Sequence, residues 1–116
     1  MAQALHDATT TQYAALLDTA PIADDATVSK PLLNLPSLKV ILFAMDAGQS
    51  ISEHRAPYVA TVHVLDGRLR FGVGGESREI AANDWLVMPP DAPHDLDAIE
   101  PTRFLLTLVK DGPRGA

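Results

Sequence analysis

His54 and His94 are the residues of this chain whose type and setting best suit chemistry. A neutral imidazole can ligate a divalent metal, pass a proton, or hold a polar ligand group through a hydrogen bond. His54 lies in GQSISEHRAPYVATVHVLDG, residues 48–67, which starts at a glycine, crosses Pro57, then alternates apolar and polar residues into Asp66-Gly67. His94 closes NDWLVMPPDAPH, residues 83–94, at the end of a proline-rich turn. Each histidine falls at the edge of a predicted strand, and together they form a candidate site. Arg55, beside His54, could clamp an anionic ligand, since a guanidinium matches the geometry of a carboxylate; the alternative is a solvated surface arginine.

The elements that must position these side chains are strands. Alternation and bounding Pro, Gly, Asn or Asp residues predict strands at Val28–Leu33, Leu38–Met45, Ile51–His54, Val59–Leu65, Arg68–Val73, Ser77–Ile80, Trp85–Met88, His94–Ile99 and Arg103–Lys110. The dipeptide Asp66-Gly67 predicts a hairpin between Val59–Leu65 and Arg68–Val73. Gly74-Gly75 predicts a second turn into Ser77–Ile80. Ahead of the strands, Leu5, Ala8, Tyr13, Leu16 and Leu17 form a loose helical stripe that Pro21 stops. The β-branched run Thr9-Thr10-Thr11 weakens it, so the expectation is a short, frayed helix over about residues 10–18.

Short strands at spacings of roughly 8–12 residues, with no later helix to bridge parallel neighbours, predict an all-β, antiparallel sandwich or barrel. The expected division is an N-terminal helical or extended segment at 1–27, a barrel at 28–110, and a tail at 111–116 that composition predicts to be disordered.

Composition narrows the function. The chain has 116 residues, enough for one core. It has no cysteine, which excludes disulfides, thiolate metal sites and cysteine nucleophiles. A formal charge of −6 argues against a nucleic-acid partner, because phosphate binding needs a basic surface. Arg68, Arg70 and Arg78 are read as the solvated face of a hairpin. The longest apolar run, Val40–Met45, is far short of a membrane span. The first twenty residues hold no Lys or Arg, which is wrong for a secretory signal. A cytoplasmic location is the expectation. GVGGES at residues 72–77 is a turn, since no helix follows it.

The two histidine stretches resemble the motifs of the cupin superfamily, small jelly-roll β-barrels. The first motif is Gly, five residues, His-x-His, three or four residues, Glu, six residues, Gly; here Gly48, His54, Arg55, Ala56, Ala60 and Gly67 keep its spacing. The second is Gly, five residues, Pro-x-Gly, two residues, His, three residues, Asn; here Asn83, Pro89-Pro90-Asp91, His94 and Ala98 keep it. Asn83 and Asp91 replace glycines with the residues that best tolerate a left-handed backbone. The resemblance spans about residues 30–110 and implies a single-domain, antiparallel jelly-roll barrel.

In typical members of that family the two histidines of the first motif, its Glu and the later His hold one metal inside the barrel. His54 and His94 keep two of those positions, while Ala56 and Ala60 stand at the other two. His63 is the candidate third ligand, three residues beyond Ala60, but an ideal strand turns it to the opposite face unless a bulge intervenes. Glu53 and Asp95 each neighbour a candidate histidine and should point away from it. Trp85, Met88, Phe43 and Phe71 are expected to fill the core or wall a ligand cavity.

Two readings follow. In one, a divalent transition metal (Zn, Fe, Ni or Mn) on His54, His94 and His63 supports the oxygenase, isomerase or decarboxylase chemistry that the resemblance implies. In the other, the barrel is a non-catalytic, metal-free binding or sensing module for a small organic molecule. A homodimer is the expected assembly in both.

Overall fold

The computed structural model describes residues 3–110. The tail expected to be disordered lies outside the described residues. Nine strands follow one helical turn: α1 (Leu16–Thr19), β1 (Thr27–Asn34), β2 (Leu38–Met45), β3 (Ser50–His54), β4 (Val59–Asp66), β5 (Arg68–Val73), β6 (Glu76–Ala81), β7 (Trp85–Met88), β8 (His94–Ala98) and β9 (Thr102–Val109). Every strand predicted from alternation is present, with bounds shifted by at most one residue.

The strands form two antiparallel sheets, ordered β1-β2-β9-β4-β7 and β3-β8-β5-β6. This is the expected jelly roll, with the core between the sheets. Alternation decides which side chains reach that core. On β4, Ala60, Val62 and Val64 are buried there with Leu69 and Phe71 of β5, Leu96 of β8 and Phe104 of β9. Phe43 and Phe104 stack at 4.9 Å between centroids.

Asp66-Gly67 does not make a hairpin. β4 pairs with β7 and β9, whereas β5 pairs with β6 and β8. The predicted two-residue hairpin turn favours positive φ at both positions, and only Gly67 has it, at 89°. The chain instead crosses from one sheet to the other. A Cβ on Gly67 would collide with the Pro101 carbonyl oxygen and Thr102 Oγ1, so this corner requires glycine. The hairpin in this region is β5–β6, turned by Gly74 (φ 59°) and Gly75 (φ 86°). Asn83 (φ 72°) and Asp91 (φ 65°) adopt the left-handed backbone expected of them.

The N-terminal helix is shorter than the stripe suggests. Only Leu16–Thr19 is helical, and Ala15 ahead of it offers no side-chain cap. Four residues cannot offset the cost of helix nucleation without tertiary support. The segment before it is irregular, with bends at Leu5 and at residues 8–10, and it meets the edge of β1 where the amides of Leu5 and His6 donate to the carbonyls of Pro31 and Leu32 (3.0 and 2.9 Å). Edge position is what lets Pro31 sit inside β1. Leu16, Ala20 and Ile22 then cover Leu42, Ala44 and Leu105 on the outer face of the five-stranded sheet. Arg103 fixes this cover by donating to the Ala20 carbonyl (2.7 Å) while pairing with Asp66 (2.8 Å).

Candidate functional site

β3 and β8 are neighbours, and their register sets His54 opposite His94. The rings meet edge to face, 4.1 Å between centroids and 62° between planes. His54 is exposed and His94 is buried, so the pair spans from the surface into the barrel. Each ring is held by the same local device. His54 Nδ1 lies 2.9 Å from the Ser52 carbonyl, and His94 Nδ1 lies 2.9 Å from the Ala92 carbonyl. A carbonyl oxygen can only accept, so Nδ1 carries the proton and Nε2 of each neutral ring keeps its lone pair.

Burial pushes the His94 imidazole below its ordinary value of 6.5; donation to the Ala92 carbonyl opposes this, and neighbouring His54 adds to the lowering. Burial thus favours the neutral form of this ring. Backbone carbonyls, rather than the facing ring, partner Nδ1 of both histidines.

Beneath the pair is a cavity of about 120 Å³, lined by Phe43, Ile51, Val62, Phe71, Met88, Leu96, Phe104 and Leu106 together with His54 and His94. The two imidazoles are its polar end. Phe43, Phe71 and Met88 are among its walls. Phe71 lies nearly parallel to His94, with centroids 6.0 Å apart.

His63 is elsewhere. Ala60, Val62 and Val64 face the core, so His63 faces outward, opposite Trp85 on β7. The one irregularity in the β4–β9 register falls between Val64 and Asp66, past His63, too late to turn it inward. Trp85 is 61% exposed on that same outer face and does not line the cavity. Arg55 is exposed and outside the cavity lining. Asp95 is directed outward as expected, where Arg70 pairs with it (2.8 Å) and with Asp97.

The four-ligand metal centre that the family resemblance implies does not fit this site. Two imidazoles remain, Ala56 and Ala60 offer methyl groups, and no carboxylate joins them. Among the described residues no group of three or more His, Cys, Asp or Glu side chains is placed to hold one ion. No buried side-chain nitrogen or oxygen among them lacks a partner that an ion would supply.

Sequence reasoning missed one pair of residues near the cavity. Arg78 and Glu76 share the face of β6 that carries buried Ile80, so they lie on the barrel side, whereas Ser77 and Glu79 pair outward with Arg70 and Arg68. Arg78 is exposed, in keeping with the solvated reading, but parity sets it on the face opposite Arg68 and Arg70 rather than beside them. Counting by twos back from Ile80 would have shown it.

Comparison with known proteins agrees with this architecture. The cupin domain model matches residues 41–109. No curated protein matches the chain. A conserved protein of unknown function from Streptococcus pyogenes superposes with a TM-score of 0.83 at 28% identity, over 97% of this chain and 98% of that one. A Cupin 2 conserved barrel domain protein from Leptotrichia buccalis gives 0.76 at 32% identity, over 78% of this chain and 44% of that one. DMSP lyase DddQ from Ruegeria pomeroyi gives 0.68 at 20% identity over 73% of this chain and 47% of that one, a likeness of fold alone. With motif spacing, two-sheet topology and family match in agreement, the chain belongs to the cupin superfamily.

Proposed function

We propose that this chain binds a small, mostly apolar organic molecule inside the barrel, with a hydroxyl or similar donor on the ligand meeting His54 and His94. The observation that carries the reading is the cavity itself: about 120 Å³ of apolar lining closed at one end by two imidazoles with unprotonated Nε2 atoms. An apolar cavity of comparable size, about 150 Å³, is known to hold benzene when engineered into a protein core. Apolar walls supply burial energy, and the few polar groups fix orientation. The experiment is calorimetric titration of hexanol into chelator-treated protein. Saturable binding that His94→Ala weakens supports the reading, and no binding refutes it.

A second reading keeps a divalent metal on His54 and His94, with ligand or water completing its coordination. Nδ1 donation to a backbone carbonyl favours it, because that contact fixes the tautomer whose Nε2 ligates metals. Elemental analysis of protein purified without chelators separates the two. One transition-metal ion per chain, lost in a His54→Ala/His94→Ala double variant, establishes the metal reading and justifies a search for oxygenase, isomerase or decarboxylase activity. Equal metal content in wild type and double variant removes it.

The homodimer belongs to the same proposal. Trp85 and Val87 are 61% and 54% exposed, side by side with His63 on the outer face of β4 and β7. An apolar sheet face of this kind suits pairing with a second copy about a two-fold axis.

A further inference from the structure

We infer that the gap between the edge strands β6 and β7 is a second part of the ligand site, and that Arg78 there takes a carboxylate on the far end of the ligand. This inference rests on the cavity reading above and extends it to a ligand class: an organic acid with an apolar middle.

β6 and β7 are the free edges of their sheets. Between them runs a groove of about 540 Å³. Phe71 and Met88 line both the groove and the inner cavity, so these two side chains are the partition between them. Arg78 is the cross-strand partner of Phe71, and such partners lie on the same face of a sheet. Phe71 in turn lies against His94. The sequence Arg78, Phe71, His94 therefore crosses the inner face of three adjacent strands, β6, β5 and β8, roughly 10 Å of sheet. A medium-length chain reaches across that distance.

The charges in the groove single out Arg78. Among the described arginines, Arg68, Arg70 and Arg103 are held in ion pairs, whereas Arg55 and Arg78 make none, and of these two only Arg78 lines the groove. Glu79 is engaged by Arg68 at 3.3 Å, and Asp84 accepts from the Ala81 amide at 2.8 Å. Asp84 keeps its charge in the groove as well, and Glu76, two residues from Arg78 on the same face, is the opposing charge nearest to it along the strand. It lowers the affinity for an anion and gives the proposal a second handle. A charged residue on the inner face of an edge strand also deters edge-to-edge association, a role that needs no ligand and predicts no selectivity.

The test is calorimetry with three probes on the full chain: hexanol, hexanoate and ω-hydroxyhexanoate, against wild type, Arg78→Gln, Glu76→Gln and Met88→Ala. Arg78→Gln is expected to weaken both acids by about tenfold, the scale of one charge-assisted hydrogen bond, and to leave hexanol unchanged. Glu76→Gln is expected to tighten both acids and leave hexanol unchanged. Met88→Ala is expected to change the affinity for the acids more than for hexanol, because it opens the partition. Circular dichroism melts of the exposed-site variants confirm that they fold. If hexanol binds and His94→Ala weakens it, but Arg78→Gln affects acids and alcohol alike or neither, this inference falls and the cavity reading stands. If none of the probes binds wild type, the cavity reading fails and this one with it.

Discussion

His54 and His94 are cross-strand partners whose rings are oriented by one repeated device, Nδ1 donating to the carbonyl two residues earlier in the chain. The acceptors are backbone carbonyls, so both Nε2 atoms are positioned before any ligand arrives, which limits the ordering cost of binding. His54→Ala and His94→Ala should each weaken hexanol by roughly tenfold, the worth of one well-placed hydrogen bond with its packing. Calorimetry of both variants checks this. An unchanged affinity in both would place the binding elsewhere.

The corner where β4 hands over to β5 should be the most substitution-sensitive backbone position outside the core. Gly67→Ala forces a Cβ into Pro101 and Thr102 at a φ of 89°. The combined overpacking and backbone strain is roughly 3 kcal/mol or more. Gly48→Ala has a similar φ, 86°, but open space around its Cβ. It should cost only about 1 kcal/mol. Urea unfolding of the two variants compares them directly, and equal losses would contradict the account of the corner.

Stability should fall with acid through His94. Burial holds His94 below its ordinary 6.5. The unfolded chain then binds more protons than the folded one, so stability is full above about 6.5 and declines as pH drops towards the folded value. Asp97 is held below its ordinary 3.8 by Ser50 and Arg70, so its contribution disappears only in stronger acid. Denaturant midpoints at pH 7.5 and pH 5.5, roughly bracketing the His range, should differ for wild type and differ less for His94→Asn. The same slope in both proteins would assign the effect to another group.

The outer face of β7 should govern assembly. Sedimentation of wild type is expected to show twice the 12.4 kDa chain mass, and Trp85→Glu a single chain. A wild-type monomer, or a Trp85→Glu dimer, would contradict the two-fold pairing.

Much of this was legible because strands obey a period of two and turns have demanding residues. Buried Ala60, Val62 and Val64 alternate with Thr61 and His63 as the sequence indicates, and the same parity that made His63 doubtful as a ligand turns it outward. Asn83 and Asp91 announced their left-handed conformations by residue type. What misled was local chemistry overridden by topology. Asp66-Gly67 has the composition of a hairpin, but the contacts of Pro101 and Thr102 that make it a corner come from more than thirty residues away. Trp85 has a core residue's composition on a strand too short to show which face is apolar. Arg78 was grouped with Arg68 and Arg70 by closeness in sequence, whereas β6 sends it to the opposite face.

The central claim is that the barrel's apolar cavity and its histidine pair receive a small organic molecule without a metal. Its most direct test is a methyl and imidazole NMR titration with hexanol in the presence of chelator. Saturable shifts are expected at Ile51, Met88, Leu96 and Leu106 and at the rings of His54 and His94, with His63 and Trp85 unmoved. No shifts in the cavity, shifts only around Trp85, or shifts that require added metal would contradict it.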